Sequence, residues 1–315
     1  MSEKTNTDLA KQELSCSERF TNSVIKEFNG INNDIAITDH QRKLIAGYFL
    51  KIDSVLKKAE TKRDAGKVAI PYTWNNVDMA QLAQDLVVYA QTGMDMMQDN
   101  MLTPIPYQDK RTGKHVMSFT KGYNGIKYLA EKYALIPYKN VVVELVYETD
   151  TFVALKKSDT NDVEGYKFEI NNPFERGKII GGFGYIAYSD STKNKLIIMS
   201  KAALEKRKPK YASKQFWGEG QDGWYEEMMK KTLVRHVYGT ANIPLDPDKT
   251  NALQNQELAQ EIQIADLGVQ DEIANNANVI DIDSVSPPVE IESAEDVEAE
   301  DIANETIDVA DMPTF

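Results

Sequence analysis

The chain has 315 residues, 42% of them hydrophobic, and a formal charge of −13, which taken whole argues against a nucleic-acid ligand. That figure averages two unlike parts: residues 251–315 hold 17 acids and no Lys or Arg, while residues 1–250 set 36 basic side chains against 32 acidic ones and carry +4. No stretch offers the ~18 apolar residues of a membrane span and the polar N-terminus lacks a signal-peptide core, so the expectation is a cytoplasmic protein without membrane contact. The lone Cys16 excludes an internal disulfide, and His40, His115 and His236 lie too far apart for a zinc spacing; no metal or cofactor is expected.

In chain order, residues 1–38 read as a flexible segment with one weak apolar rhythm, Phe20, Val24, Ile25 and Phe28, that fits a short helix stopped at Gly30. From Asp39, a plausible N-cap, Leu44, Ile45, Tyr48, Phe49, Ile52, Val55, Leu56 and Ala59 recur at three- and four-residue steps, which predicts an amphipathic helix. A second helix follows an Asn76 cap and stops at Gly93. Leu102–Tyr107 and His115–Thr120 then alternate as strands around a charged turn with Gly113, a hairpin with a basic tip (Lys110, Arg111, Lys114). A short helix, Tyr123–Tyr133, leads past Pro137 to five strand-like runs joined by turns: Val141–Glu148, Phe152–Lys156, Tyr166–Ile170, Ile179–Ser189 and Leu196–Met199. That succession favours an antiparallel meander. Helices follow at Lys201–Lys208 and Trp224–Tyr238. The ordered body is expected to span 39–250, and 251–315 to be an acidic, largely disordered tail with at most a weak helix at Leu253–Ile264.

The densest basic run is Lys201, Lys206, Arg207, Lys208, Lys210 and Lys214, interleaved with Tyr211, Phe216 and Trp217. Cations beside aromatics suit single-stranded nucleic acid, because the cations displace counterions from phosphates and the rings stack on bases. A solvated helix end is the bland reading. In the following helix Tyr225, Met229, Leu233 and Val237 share a core face, and Lys230 and Lys231 stand four residues after Glu226 and Glu227 as ion-pair partners. Arg235 has Lys231 and no acid at that spacing, which makes it the better candidate for a phosphate contact; His236 reads as a packing residue.

Gly182-Phe183-Gly184-Tyr185-Ile186-Ala187 matches a dinucleotide fingerprint in form only, since strand-like alternation follows it instead of a helix; the glycines suit a bulge or a close approach. There is no phosphate-binding G-x-x-x-x-G-K-[ST] loop. Nuclease chemistry would need clustered carboxylates, for which Glu60-Thr61-Lys62 and Asp85, Asp95 and Asp99 are thin candidates, and no nucleophile-base arrangement can be drawn.

Leu86-Val87-Val88-Tyr89-Ala90-Gln91-Thr92-Gly93-Met94, the hairpin with Pro104-Ile105-Pro106-Tyr107, Phe119-Thr120-Lys121-Gly122-Tyr123-Asn124-Gly125-Ile126, and the Glu-Glu-Met-x-Lys-Lys-Thr-x-x-Arg core of 224–238 together resemble the RecT family of phage recombination proteins over roughly residues 40–245. The resemblance implies an α+β fold, a β-hairpin and small antiparallel sheet packed with helices around a basic groove, similar to Red-beta and the eukaryotic annealing rings. It implies no enzyme: an ATP-independent protein that binds single-stranded DNA, anneals it to a complement and holds the annealed duplex in a homo-oligomeric ring or helical filament. Partners implied are a phage exonuclease and a host single-strand binding protein. Matching the family blocks places Lys121, Tyr123 and Lys127, the 201–214 cations, and Lys230, Lys231 and Arg235 along the groove, with the hairpin tip as a weaker addition. The sequence departs from many relatives at Gly93-Met94-Asp95-Met96-Met97, where they carry Gly-Leu. A metal-dependent nuclease and a non-catalytic scaffold are the alternatives. A solubilising appendage is the default reading of the tail; Asp308–Phe315 also looks like the acidic tip of bacterial single-strand binding proteins, and the alternative is a tail that competes with DNA for the groove or recruits a tip-binding partner.

Overall fold

In the computed structural model residues 14–31, 37–65, 67–209, 214–218 and 224–267 are described, all within one compact unit. The tail beyond 267, with its 308–315 tip, lies outside the described residues. The architecture is α+β, as read from the sequence, with a hairpin and small antiparallel sheets packed with helices.

Helix α1 (Cys16–Ile31) occupies part of the segment expected to be flexible. Its four-residue rhythm explains the difference: Phe20, Val24 and Phe28 form one stripe and are all buried, with Phe20 wedged against Phe49 and Trp74 at ring centroid distances of 5.5 Å. Ser15 and Glu18 close its N-terminus reciprocally. Helix α2 (Asp39–Thr61) is capped by Thr38, not Asp39, because Thr38 and Gln41 satisfy each other's backbone donors in a capping box. It buries Leu44, Ile45, Tyr48, Ile52 and Leu56. A 3₁₀ turn at Trp74–Asn76 takes the place of the expected Asn76 cap, and Asp78 caps α3 (Met79–Thr92).

The hairpin is β1 (Leu102–Asp109) paired with β2 (Lys114–Lys121), with Gly113 at φ +66° in its turn. Helix α4 (Tyr123–Tyr133) starts immediately after it, and its first amides, Asn124 and Gly125, donate to the Asn100 carbonyl at 3.1 and 3.2 Å. A side chain at Gly122 would put its Cβ 2.0 Å from that carbonyl oxygen, which is the physical content of the Gly122-Tyr123-Asn124-Gly125 block.

The remaining strands are β3 (Tyr138–Tyr147), β4 (Thr151–Leu155), β5 (Gly165–Glu169), β6 (Ile179–Tyr188) and β7 (Lys195–Ser200). They depart from a simple meander. The sheet order is β3-β6-β7, all antiparallel, and β4-β5 is a separate hairpin whose Phe152, Tyr166 and Phe168 surround Phe183. Burying that aromatic cluster holds β4-β5 on the sheet without strand pairing.

Helices α5 (Lys201–Glu205), α6 (Lys214–Trp217) and α7 (Tyr225–Val237) complete the second core with β3, β6, β7 and α4. The glycines of β6 serve α7: an added Cβ at Gly184 would sit 2.2 Å from Val237 Cγ2, and one at Gly182 would sit 2.6 Å from Leu233. The close approach expected at these glycines is that of a helix packed on the sheet. Helix α8 (Pro247–Asp266) runs beyond the expected body edge at 250. Leu253 roots it in the first core, and Ile264 and Leu267 reach Ile105 and Tyr107 of the hairpin.

Candidate nucleic-acid interface

Helix α7 is the element around which most of the sequence-chosen cations gather. Its Tyr225 meets Trp217 of α6 edge-on at 6.5 Å, Lys201 lies 5.4 Å from the Tyr225 ring, and Lys208 lies 5.7 Å from the Trp217 ring. At the other end of the helix Arg207 Nη2 lies 3.2 Å from His236 Nδ1, and Lys127 of α4 stands 5.9 Å from the Tyr238 ring. Arg207 has only donors to offer, so Nδ1 accepts and the neutral ring carries its proton on Nε2. Burial, then the charges of Arg207 and Lys195, hold the His236 pKa below its ordinary value. His236 therefore positions a cation and adds no charge at neutral pH.

Lys206, Arg207, Lys208 and Arg235 are exposed on this surface, while Lys201 and Lys231 are half-buried. Lys201 stands 3.9 Å from Glu205, and Lys127 stands 3.8 Å from Glu131. Lys230 is turned another way. Its ammonium donates to the Val143 carbonyl at 2.5 Å and to Glu144 at 3.1 Å on β3, in place of the expected pairing with Glu226, which accepts instead from the Tyr147 hydroxyl. Strand β3 lies along that face of α7 and offers both a carbonyl and an acid, so Lys230 ties helix to sheet. Lys210 falls outside the described residues, and Lys214 is placed only as the first residue of α6.

Lys121 and Tyr123 lie apart from this cluster, at the junction of β2 and α4. Tyr123 is half-buried. Lys121 is engaged by α8: its Nζ is 2.6 Å from Glu257, and beside it Gln260 accepts from the Phe119 amide at 3.2 Å. At the hairpin tip Arg111 is held at 3.4 Å by Asp109, while Lys110 and Lys114 are exposed.

A second basic surface escaped the sequence reading. Lys51, Lys58, Lys62, Arg63 and Lys67 line a cavity of about 310 Å³ between α2 and β1. They read in sequence as the ordinary solvated end of an amphipathic helix, and nothing local signals that β1 comes to face them.

What these surfaces can do is grip phosphates through side chains contributed by several elements, which positions a strand without reading its bases. Among the described residues no group of three or more His, Cys, Asp or Glu is placed to hold a metal ion. Asp85 is buried and hydrogen-bonded to Gln81, and Glu60 is held by Arg63 and the Tyr72 amide. Among the described residues no helix is long and apolar enough to cross a membrane.

The model of the RecT family matches residues 63–266, from the end of α2 to the end of α8. No curated protein and no solved structure matches the chain.

Proposed function

We propose that this chain, which belongs to the RecT family, binds single-stranded DNA and pairs it with its complement without ATP, assembling as a homo-oligomer along the strand. Family membership supports the coarser statement, DNA recombination through single-strand annealing. The observation that carries the reading is the convergence of exposed Lys206, Arg207, Lys208 and Arg235 with Lys127 and Lys201 around α7. Cations drawn from three helices can hold a phosphate backbone extended while leaving base edges open, which is what pairing two strands requires. We further propose that the strand is supplied by an exonuclease acting beside this protein. The acid-lined alternative, a nuclease, lacks a grouped carboxylate site among the described residues.

The deciding experiment mixes complementary oligonucleotides with the purified protein without ATP, with and without Mg²⁺. Faster duplex formation supports annealing. Strand shortening would mean a nuclease, and neither effect would mean a scaffold; sedimentation with and without DNA tests the oligomer.

A further inference from the structure

The cavity between α2 and β1 has a floor of Val55, Ala59, Met96, Leu102 and Pro104 under a rim of cations, and its ~310 Å³ lies within the range of ligand pockets. Five cations line it against two acids, Asp64 and Asp99. Arg63 is held by Glu60 at 2.9 Å and donates to the Val68 carbonyl, which fixes the wall of chain that turns back from α2. Lys51, Lys62 and Lys67 enter no ion pair among the described residues. An apolar floor with uncompensated cations at its rim suits an anion that carries a flat apolar part.

The β1 wall narrows the choice. In the hairpin register Pro104 faces Phe119 and Pro106 faces Met117. The Phe119 amide points away from β1, to Gln260, so 104/119 is an outward-facing pair of the antiparallel ladder, and so is 106/117 two residues on. Of the four outward positions of β1, Leu102, Pro104, Pro106 and Gln108, the central two are prolines, which have no N–H to offer. A peptide strand laid on this edge would find neither central ladder donor. An occupant must be held by side chains, and phosphates meet that condition.

We propose that this cleft is a second single-strand site, taking the sugar-phosphate backbone of a DNA strand on Lys51, Lys62 and Lys67 with a base against the apolar floor, independently of the surface around α7. The proposal rests on the annealing reading and adds to it: a protein that pairs two strands has one basic surface on each of its two cores.

The test is titration of a labelled oligothymidine at several salt concentrations, using the full chain. Replacing Lys51, Lys62 and Lys67 by Ala weakens binding on the order of ten-fold at low salt and makes the slope of log affinity against log salt shallower by about 2. Because Lys51 is half-buried, a second variant, Lys62→Glu with Lys67→Glu at exposed positions, gives the same direction with an unfolding midpoint matching the wild type. Combined with Arg207→Ala and Lys208→Ala, both binding events weaken, each with a slope made shallower by its own lost contacts, as independent sites require. A wild-type slope in both cleft variants overturns this site and leaves annealing standing. Failure of the wild-type protein to bind the oligonucleotide removes both.

Discussion

The Lys121 ammonium lies 2.6 Å from the Glu257 carboxylate, joining the end of the hairpin to a helix 136 residues later in the chain. Both side chains are about one quarter exposed, so the pair sits at a seam instead of in the core. On the proposed reading of Lys121 as a phosphate contact, Glu257 competes with the strand for its ammonium. Glu257→Gln should tighten single-strand binding a few-fold at low salt and steepen the salt slope by about 0.7, the share of one added phosphate contact. The same change should lower stability by about 1 kcal/mol through loss of the pair. An unchanged slope would remove Lys121 from the DNA path.

Beside α7, Arg207 meets a neutral histidine and Lys208 stands over the Trp217 ring. Changing Arg207, Lys208 and Lys210 together to Ala should weaken single-strand binding and flatten its salt dependence by about 2 in log-log slope. Binding measured at four or more salt concentrations decides it, since affinity at one salt cannot separate lost contacts from lost stability. A wild-type slope would mean that these side chains only solvate the surface.

The hairpin, α4, the five later strands, α5 and α7 were legible because their alternation and caps are local properties. The pairing of β3 with β6 across the β4-β5 hairpin was not, since alternation says which face of a strand is buried and nothing about its neighbour. Helix α8 was legible only as a weak helix over 253–264, for another reason. Its buried middle is polar, with Gln260 meeting the Phe119 amide and Gln256 the Asp85 carbonyl, and the acid-rich composition around it reads as tail. The same limit applies to the interface: the run 201–208 was visible, but not that Arg207 meets His236, or that Lys121 meets Glu257 and Lys230 meets Glu144, because each partner lies far away in sequence.

Asp85 makes the α3-α8 seam sensitive to pH. Burial, against hydrogen bonding from Gln81, raises its carboxyl from 3.8 to about 6. The folded protein therefore keeps a proton that the unfolded chain releases, and this contribution to stability is lost as pH rises through about 6. Asp85→Asn keeps the acceptor for Gln81 and removes the buried charge. The variant should be more stable than wild type at pH 8 by up to ~3 kcal/mol, with the gap closing below about pH 4. Urea unfolding at both pH values is the measurement, and equal stabilities at pH 8 would show that the ionised carboxylate is well solvated.

The packing of α7 on β6 admits a sharper test, because a single methyl group decides it. A Cβ at Gly184 would lie 2.2 Å from Val237 Cγ2 and 2.7 Å from its Cγ1, and Val237 is fully buried, so neither partner can turn aside into solvent. Gly184→Ala should therefore lower stability by about 1–3 kcal/mol, the usual penalty for overpacking. Val237→Ala alone should also destabilise, by leaving a void. The double variant should recover part of the Gly184→Ala loss, since the added methyl occupies the space the valine vacates, giving a favourable coupling in a double-mutant cycle. Because α7 carries Arg235 and positions Arg207 through His236, the single Gly184→Ala change should weaken single-strand binding along with stability, and the double variant should restore both together. Strand binding that stays at wild-type strength in a destabilised Gly184→Ala protein would separate the packing of α7 from its part in the interface.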